Sequence, residues 1–196
     1  MLQRIRDLVL LIIVLPIIAP LFVLVVFVSL IFHKKRIFFS QKRLGEKQSE
    51  FNLYKFRSMV ENAQSTGSGL YSYKDDNRIT PFGKFLRRTS LDELPQLLNV
   101  IKGDMSFVGP RPAVIGELDD EQGLPYNKND RFNVKPGITG WAQVHGRDNL
   151  TWQEKIYFDL EYVSFSQLKR FFIDLYIILY TPFYLFNFTS TYEKRN

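Results

Sequence analysis

Leu8-Val9-Leu10-Leu11-Ile12-Ile13-Val14-Leu15-Pro16-Ile17-Ile18-Ala19-Pro20-Leu21-Phe22-Val23-Leu24-Val25-Val26-Phe27-Val28-Ser29-Leu30-Ile31-Phe32 is the stretch that decides how this chain is built. It carries no charge and is interrupted only by Pro16, Pro20 and Ser29. As one straight helix it would extend about 37 Å, against a hydrocarbon core of about 30 Å. It is too long for the apolar part of a cleaved signal peptide. His33-Lys34-Lys35-Arg36 also stands where a small-residue cleavage site would have to be.

Each proline removes a backbone donor and crowds the carbonyl four residues earlier, so an interruption around Pro16–Pro20 is expected. The halves on either side, about 18 Å each, are too short to cross alone. Arg4 and Arg6 precede the run, and Lys34, Lys35 and Arg36 follow it. Basic flanks favour the cytoplasmic side, and a re-entrant helix-break-helix satisfies both at once. A kinked single-pass anchor satisfies only one, and stays as the alternative. Either way Lys34 onward lies in the cytoplasm. The expected division is therefore a membrane segment over 1–36 and a cytoplasmic domain over 37–196.

The whole chain has 196 residues, with 26 Lys and Arg against 20 Asp and Glu, a net charge of +6. With 45% apolar residues, 18 Phe and 10 Tyr, it is not a disordered chain. The absence of Cys excludes a disulfide scaffold, a Cys-ligated zinc or iron–sulfur site and thiol catalysis. His33 and His145 are the only histidines, too few for a multi-His metal cage. No internal repeat is evident. A second apolar stretch, Phe171 to Phe188, carries Asp174, Thr181, Pro182 and Asn187. It suits an interfacial helix over about 166–188, or else a core helix of the soluble part.

Between these segments the expected elements are short. Ile37–Lys42 and Phe51–Arg57 read as two strands joined through Leu44-Gly45-Glu46, a β-hairpin. Gln64 to Ser72 reads as a loop by composition. Pro81 to Arg88 has helical periodicity. Ser90-Leu91-Asp92-Glu93 has the spacing of a capping box, followed by Leu94, Leu97, Leu98 and Ile101 up to Gly103. Gly109-Pro110-Arg111-Pro112 and Pro136-Gly137-Ile138-Thr139-Gly140 read as rigid turns, and Glu117 to Asp130 as an acidic surface loop. Thr151 to Val163 is a helix capped by Thr151, with Glu154 at the capping-box position. The fold class is α+β, mainly helical, with a small β-hairpin, interfacial amphipathic helices and a monotopic, re-entrant membrane segment.

Asp92-Glu93 admits a plain explanation, because acidic residues in a first helical turn complement the macrodipole and Glu93 can close a capping box. Their company points further. Arg87 and Arg88 lie one turn earlier, Arg111 sits on a Gly-Pro-Arg-Pro turn, and Lys55, Arg57 and Arg147 have Gly- or aromatic-rich surroundings. Arginines on rigid turns suit bidentate phosphate recognition. A carboxylate attacking a phosphate meets like-charge repulsion, which a divalent cation and cationic side chains offset. Adjacent Asp and Glu suit Mg²⁺, which takes one or two carboxylates together with phosphate oxygens. These features suggest phosphoryl transfer at a membrane. A tethered basic module for nucleic acid or anionic lipid, and an inactive structural subunit, are the rival readings.

Five blocks, in order, resemble the bacterial sugar transferases, the monotopic phosphoglycosyl transferases that load a polyprenyl carrier. They are Leu44-Gly45, Tyr54-Lys55-Phe56-Arg57-Ser58-Met59, Leu86 to Val100, Lys102 to Pro112 and Lys135 to Val144. The resemblance implies transfer of a sugar-1-phosphate from a UDP-sugar to undecaprenyl phosphate, with release of UMP. It assigns Asp92 as nucleophile and Glu93 as the partner that positions Mg²⁺ and Asp92. Arg87, Arg111 and Arg147 match basic positions near the substrate phosphates, while Lys55 and Asp159 match supporting substrate-site positions. It implies a re-entrant helix broken at a Ser-Pro pair, for which this chain has Ala19-Pro20. It also implies a bacterial inner (cytoplasmic) membrane location, with membrane lipids as surroundings and no nucleic-acid partner. Without the N-terminal transmembrane helices of larger members the chain resembles the minimal catalytic unit. The donor sugar, the glycan pathway and homodimerisation stay open.

Overall fold

The computed structural model describes residues 2–33, 36–65, 76–119 and 121–187. Most of the expected Gln64–Ser72 loop, and Lys34-Lys35, lie outside these described residues. The chain opens with one helix, α1 (Leu2–His33). The expected hairpin follows as β1 (Phe38–Leu44) and β2 (Glu50–Phe56), antiparallel with Phe38 opposite Phe56 and Lys42 opposite Asn52. Then come α2 (Pro81–Arg88), a 3₁₀ segment Leu91–Gln96 and α3 (Leu97–Lys102). Two short strands, β3 (Ser106–Val108) and β4 (Gly137–Thr139), precede α4 (Trp141–His145), α5 (Trp152–Ser164) and α6 (Gln167–Asn187).

Several local expectations hold for the reasons given. Thr80 caps α2 by accepting from the Gly83 backbone, with Pro81 at the first helical position. Thr151 and Glu154 form the capping box of α5. Gly103 ends α3 in the left-handed conformation (φ 90°). The Asn99 amide, fully buried, donates to the Asn52 carbonyl at 2.7 Å and accepts from the Tyr54 backbone at 3.2 Å, which fastens the hairpin to α3.

Three expectations are corrected. Pro16, Ala19 and Pro20 do not separate two helices: α1 is continuous, with both prolines inside it. The prolines lie one turn apart on one face, so their missing donors fall on the same side and the remaining bonds carry the helix through. Ser90 is not a helix cap; it is left-handed (φ 56°) and makes no cap hydrogen bond. Pro95 lacks the N–H that an α-helix begun at Leu91 would direct to the Leu91 carbonyl, so a 3₁₀ segment intervenes before α3. Gly137-Ile138-Thr139 is a strand rather than a turn, paired in parallel with β3 (Ser106 opposite Gly137, Val108 opposite Thr139). A Cβ on Gly137 would lie 2.1 Å from the Gly109 nitrogen, and one on Gly109 would lie 2.2 Å from the Lys135 carbonyl oxygen. Only glycines permit that approach.

α1 is docked at both ends. Near its start, Leu11 packs with Leu53, Leu97, Val100 and Met105. Near its end, Val25 packs with Phe56 and Leu86, and Phe22 meets the Phe56 ring with centroids 5.1 Å apart. Between Ile12 and Leu24 no residue is buried. The first turn carries the polar part of the dock. Arg6 bonds Asp7 (2.8 Å), the Ser106 hydroxyl (2.9 Å) and Asp174 of α6, and the Tyr162 hydroxyl of α5 donates to Asp174 at 2.7 Å. Arg6, Asp7, Ser106, Asp174 and Tyr162 are all buried. Burial pushes the Tyr162 phenol up to about 12, so it remains a donor.

α6 buries Asp174 and Ile177 and leaves Phe172, Leu179 and Phe183 exposed on the other side. Removing one member of a buried ion pair strands its partner, at a cost of about 3–5 kcal/mol. Asp174→Ala is therefore expected to lower unfolding stability by that order, read from denaturant or thermal unfolding in detergent. A loss below about 1 kcal/mol would show that Arg6 does not depend on it.

Candidate functional site

β2, the 3₁₀ segment, the Gly-Pro-Arg-Pro turn and α5 converge on one cleft of about 500 Å³. The catalytic and substrate-site candidates Lys55, Arg87, Asp92, Glu93, Arg111, Arg147 and Asp159 all line it, whereas Arg88 does not and Pro16, Ala19 and Pro20 lie apart on α1. Residues as far apart in sequence as Lys55 and Asp159 are thus brought together.

The two acidic neighbours differ sharply. Glu93 Oε1 accepts from Lys55 Nζ at 2.9 Å and from both terminal nitrogens of Arg111 at 3.2 Å. Burial raises the Glu93 carboxyl, but Lys55, Arg111 and Arg147 together outweigh it, and the group is held well below the usual carboxylate range. Glu93 is a fixed anion. Asp92 is buried to a similar degree, yet among the described residues no side chain donates a hydrogen bond to its carboxylate. Burial raises its pKa, and neighbouring Glu93 adds to the rise; Lys55, Arg87 and Arg147 oppose it without cancelling it. Lys55 is itself pushed down by burial, partly offset by Glu93. The arrangement leaves one anion neutralised and the next one open to the cleft.

Backbone strain sits beside this pair. Ser90 and Arg147 both adopt positive φ (56° and 52°) although neither is glycine, and Arg147 Nη2 donates to the Ser90 hydroxyl at 3.0 Å. Such conformations cost of order 1–3 kcal/mol and persist where surrounding contacts fix them. Here they set the chain direction just before Asp92.

Asp159 is tied up rather than open. Its Oδ2 accepts from Arg131 Nε at 3.0 Å and Nη2 at 2.7 Å, and the same Nη2 donates to the Arg111 carbonyl at 2.7 Å. Asp159 thereby holds Arg131, and Arg131 holds the turn that carries Arg111. Burial raises the Asp159 pKa against the pull of Arg131. Sequence reasoning missed Arg131, which lies at the end of what reads as an acidic surface loop. It also missed Gln143, Trp152 and Lys155. Lys155 Nζ stands 4.9 Å over the Trp152 ring, and all three residues line the cleft. The distance between residues 131 and 159 hides the pairing; a lone Arg in a polar loop gives no local signal.

For a metal, the two adjacent carboxylates are the relevant donors. Among the described residues no group of three or more His, Cys, Asp or Glu side chains could hold an ion. A two-carboxylate set fits a divalent ion that brings its own phosphate oxygens and water, as Mg²⁺ does, better than a resident metal cage.

The model of one protein family, described as bacterial sugar transferase, matches residues 1–188. The chain belongs to the bacterial sugar transferase family. It is 45% identical over 146 residues to the uncharacterized sugar transferase EpsL of Bacillus subtilis, a match covering 74% of this chain and 67% of that protein. It is 43% identical over 150 residues to the UDP-glucose:undecaprenyl-phosphate glucose-1-phosphate transferase of Xanthomonas campestris, covering 74% of this chain and 30% of that one. It is 43% identical over 141 residues to the undecaprenyl-phosphate galactose phosphotransferase of Salmonella typhimurium, covering 64% and 29%. The sugar transferase chain thus spans about a third or less of the latter two relatives. Its long apolar α1, together with the family, marks it as membrane-associated.

The raised pKa of Asp92 gives this sugar transferase a stability test. Below its unfolded-state pKa the group is protonated in both states and contributes nothing. As pH rises, the unfolded state releases the proton first, so stability is lost up to the folded-state pKa and stays lost above it. Asp92→Asn is therefore expected to raise the unfolding midpoint at about pH 7–8, with the gain vanishing in acid. Unfolding scans across pH read this directly, and a variant less stable than wild type at about pH 8 would contradict it.

Proposed function

We propose that this chain transfers a sugar-1-phosphate from a UDP-sugar to undecaprenyl phosphate and releases UMP, as a first membrane step in bacterial polysaccharide or glycan assembly. The observation that carries the reading is the buried Asp92 carboxylate, to which no side chain among the described residues donates, beside a cation-clamped Glu93 in a cleft rich in arginine. The names of the Xanthomonas and Salmonella relatives supply the donor and acceptor classes.

The chemistry follows from the division between the carboxylates. A cleft lined by Lys55, Arg87, Arg111 and Arg147 attracts a diphosphate and offsets its charge. An Asp92 oxygen attacks the phosphorus that bears the sugar. The P–O bond to the departing UMP breaks as the Asp92–phosphorus bond forms, and UMP leaves with that electron pair. An oxygen of undecaprenyl phosphate then attacks the same phosphorus and frees Asp92 as carboxylate. One nucleophile thus serves two substrates in turn. Mg²⁺ entering on the donor diphosphate would be met by Asp92 and Glu93, and would supply charge neutralisation at the phosphoryl oxygens. Asp159, through Arg131, keeps the Arg111 turn in position.

The membrane reading is re-entrant. Arg6 and Leu11 near one end of α1 and Phe22 and Val25 near the other touch the same domain, and the residues from Ile12 to Leu24 are exposed or half-buried. A single span would carry those ends to opposite sides. The middle of α1 therefore dips into one leaflet of the inner membrane, with the domain on the cytoplasmic face and the exposed aromatic side of α6 at headgroup depth.

Purified protein with Mg²⁺, undecaprenyl phosphate and a panel of UDP-sugars is expected to release UMP with at least one donor. Asp92→Asn is expected to abolish release and Arg111→Ala to lower it by roughly tenfold or more; full activity in Asp92→Asn would refute the nucleophile. The acidic limb of the kcat/KM profile should lie above the ordinary aspartate value, because Asp92 must be ionised to attack. For topology, the natural lack of Cys allows a single introduced cysteine at Leu2 to be labelled without background. Labelling from the cytoplasmic side is expected, and access only from the periplasm would overturn the re-entrant reading.

A further inference from the structure

A second cavity, about 330 Å³ and almost wholly apolar, lies against α1 between residues 14 and 21. Ile18 and Leu21 of α1 form one wall, and Leu94, Leu97, Ile138 and Val144 form the others. It adjoins the charged cleft, since Glu93, Arg111, Gln143 and Arg147 line both. Gln143 stands at this junction, more than nine-tenths buried, and among the described residues neither its Nε2 nor its Oε1 has a hydrogen-bond partner. A buried amide left without partners costs free energy, and such groups call for a specific explanation.

We propose that this groove receives the first isoprenyl units of the lipid acceptor, and that the Gln143 amide together with Arg111 and Arg147 takes the acceptor phosphate at the junction. The inference rests on the transferase reading above and names the acceptor subsite within it. The apolar chain and the phosphate of one molecule match the apolar groove and the charged junction in order. The groove borders α1 between residues 14 and 21, where Leu15, Ile17 and Leu21 are exposed, so a chain held there can pass directly into hydrocarbon. Its size suits the head of a linear chain: about 150 Å³ accommodates one benzene-sized ligand, so the groove takes roughly two units of that bulk. The Nε2 of Gln143 donates to a phosphate oxygen, which satisfies a group that is otherwise unpaired. The donor's sugar and nucleotide remain in the polar cleft, so each substrate approaches Asp92 from its own side.

The test uses the wild-type protein in phosphatidylcholine nanodiscs with an undecaprenyl phosphate analogue carrying a diazirine on its second isoprenyl unit. Cross-links are expected in segments 14–21 and 138–144, reduced by unlabelled undecaprenyl phosphate and not by a roughly tenfold excess of phosphatidylethanolamine. Cross-links confined to the outer face of α1, at Ile12, Leu24 or Phe27, would overturn the groove. Equal competition by phosphatidylethanolamine would assign it to bulk phospholipid and overturn it too. In steady state, Ile138→Trp, which fills the groove, is expected to raise the acceptor KM by roughly tenfold or more and to erase the preference for a C55 over a C10 phosphate. Gln143→Glu, which sets a charge against the phosphate, is expected to raise the acceptor KM by roughly tenfold or more with a smaller change in the donor KM. Unchanged acceptor KM in both variants would overturn the assignment. Release of UMP from donor alone reports the transferase reading separately, and the cross-link map decides the groove whichever way that assay falls.

Discussion

A guanidinium shut away from water fixes the architecture. Arg6 can be buried only because Asp7, Asp174 and the Ser106 hydroxyl surround it, and those partners come from α1, α6 and β3. Leaving a charge of this kind unpaired costs more than the pair gains, so the network acts as a lock on geometry more than as a source of stability. It requires the start of the most apolar helix to stay with the polar domain. The Phe22–Phe56 contact and the burial of Val25 make the same demand of its second half. The middle of the helix has no fully buried residue between Ile12 and Leu24, and Val14, Ile18 and Leu21 there line the apolar groove.

Within the site, two chemically similar side chains take different duties because of what surrounds them. Glu93 spends its charge on Lys55 and Arg111 and becomes part of the wall. Asp92, the residue just before it, keeps its lone pairs available because no side-chain donor among the described residues is directed at it. The left-handed Ser90 and the Arg147 that bonds it turn the chain so that this asymmetry arises. Environment, not residue type, separates the two carboxylates.

Much of this was legible in the sequence, and the reasons for the failures are physical. The hairpin, α2, α5 and its capping box, and the termination of α3 at Gly103 follow from local spacing and turn chemistry. The site candidates meet in one cleft, since the motifs carrying Asp92, Arg111 and Lys55 are long. The capping-box reading of Ser90 to Glu93 failed because the motif describes local bonds, and the Glu93 carboxylate is claimed by residues 38 and 18 positions away. The parallel pairing of β3 and β4 was hidden because a three-residue strand has no usable periodicity. Arg131 was missed because its partner is 28 positions away. Helix continuity across Pro16 and Pro20 was missed because each proline was weighed alone, whereas their defects fall on one face.

Those two prolines have a mechanical corollary. Each releases the carbonyl one turn before it, at Ile12 and at Pro16, and an unsatisfied carbonyl in hydrocarbon costs several kcal/mol. On the re-entrant reading proposed above, the segment is therefore most comfortable where water and headgroups can follow it inward. Such dimpling is easiest in a thin or loosely packed leaflet, so a re-entrant anchor carries with it a preference for compliant patches of bilayer over stiff ones.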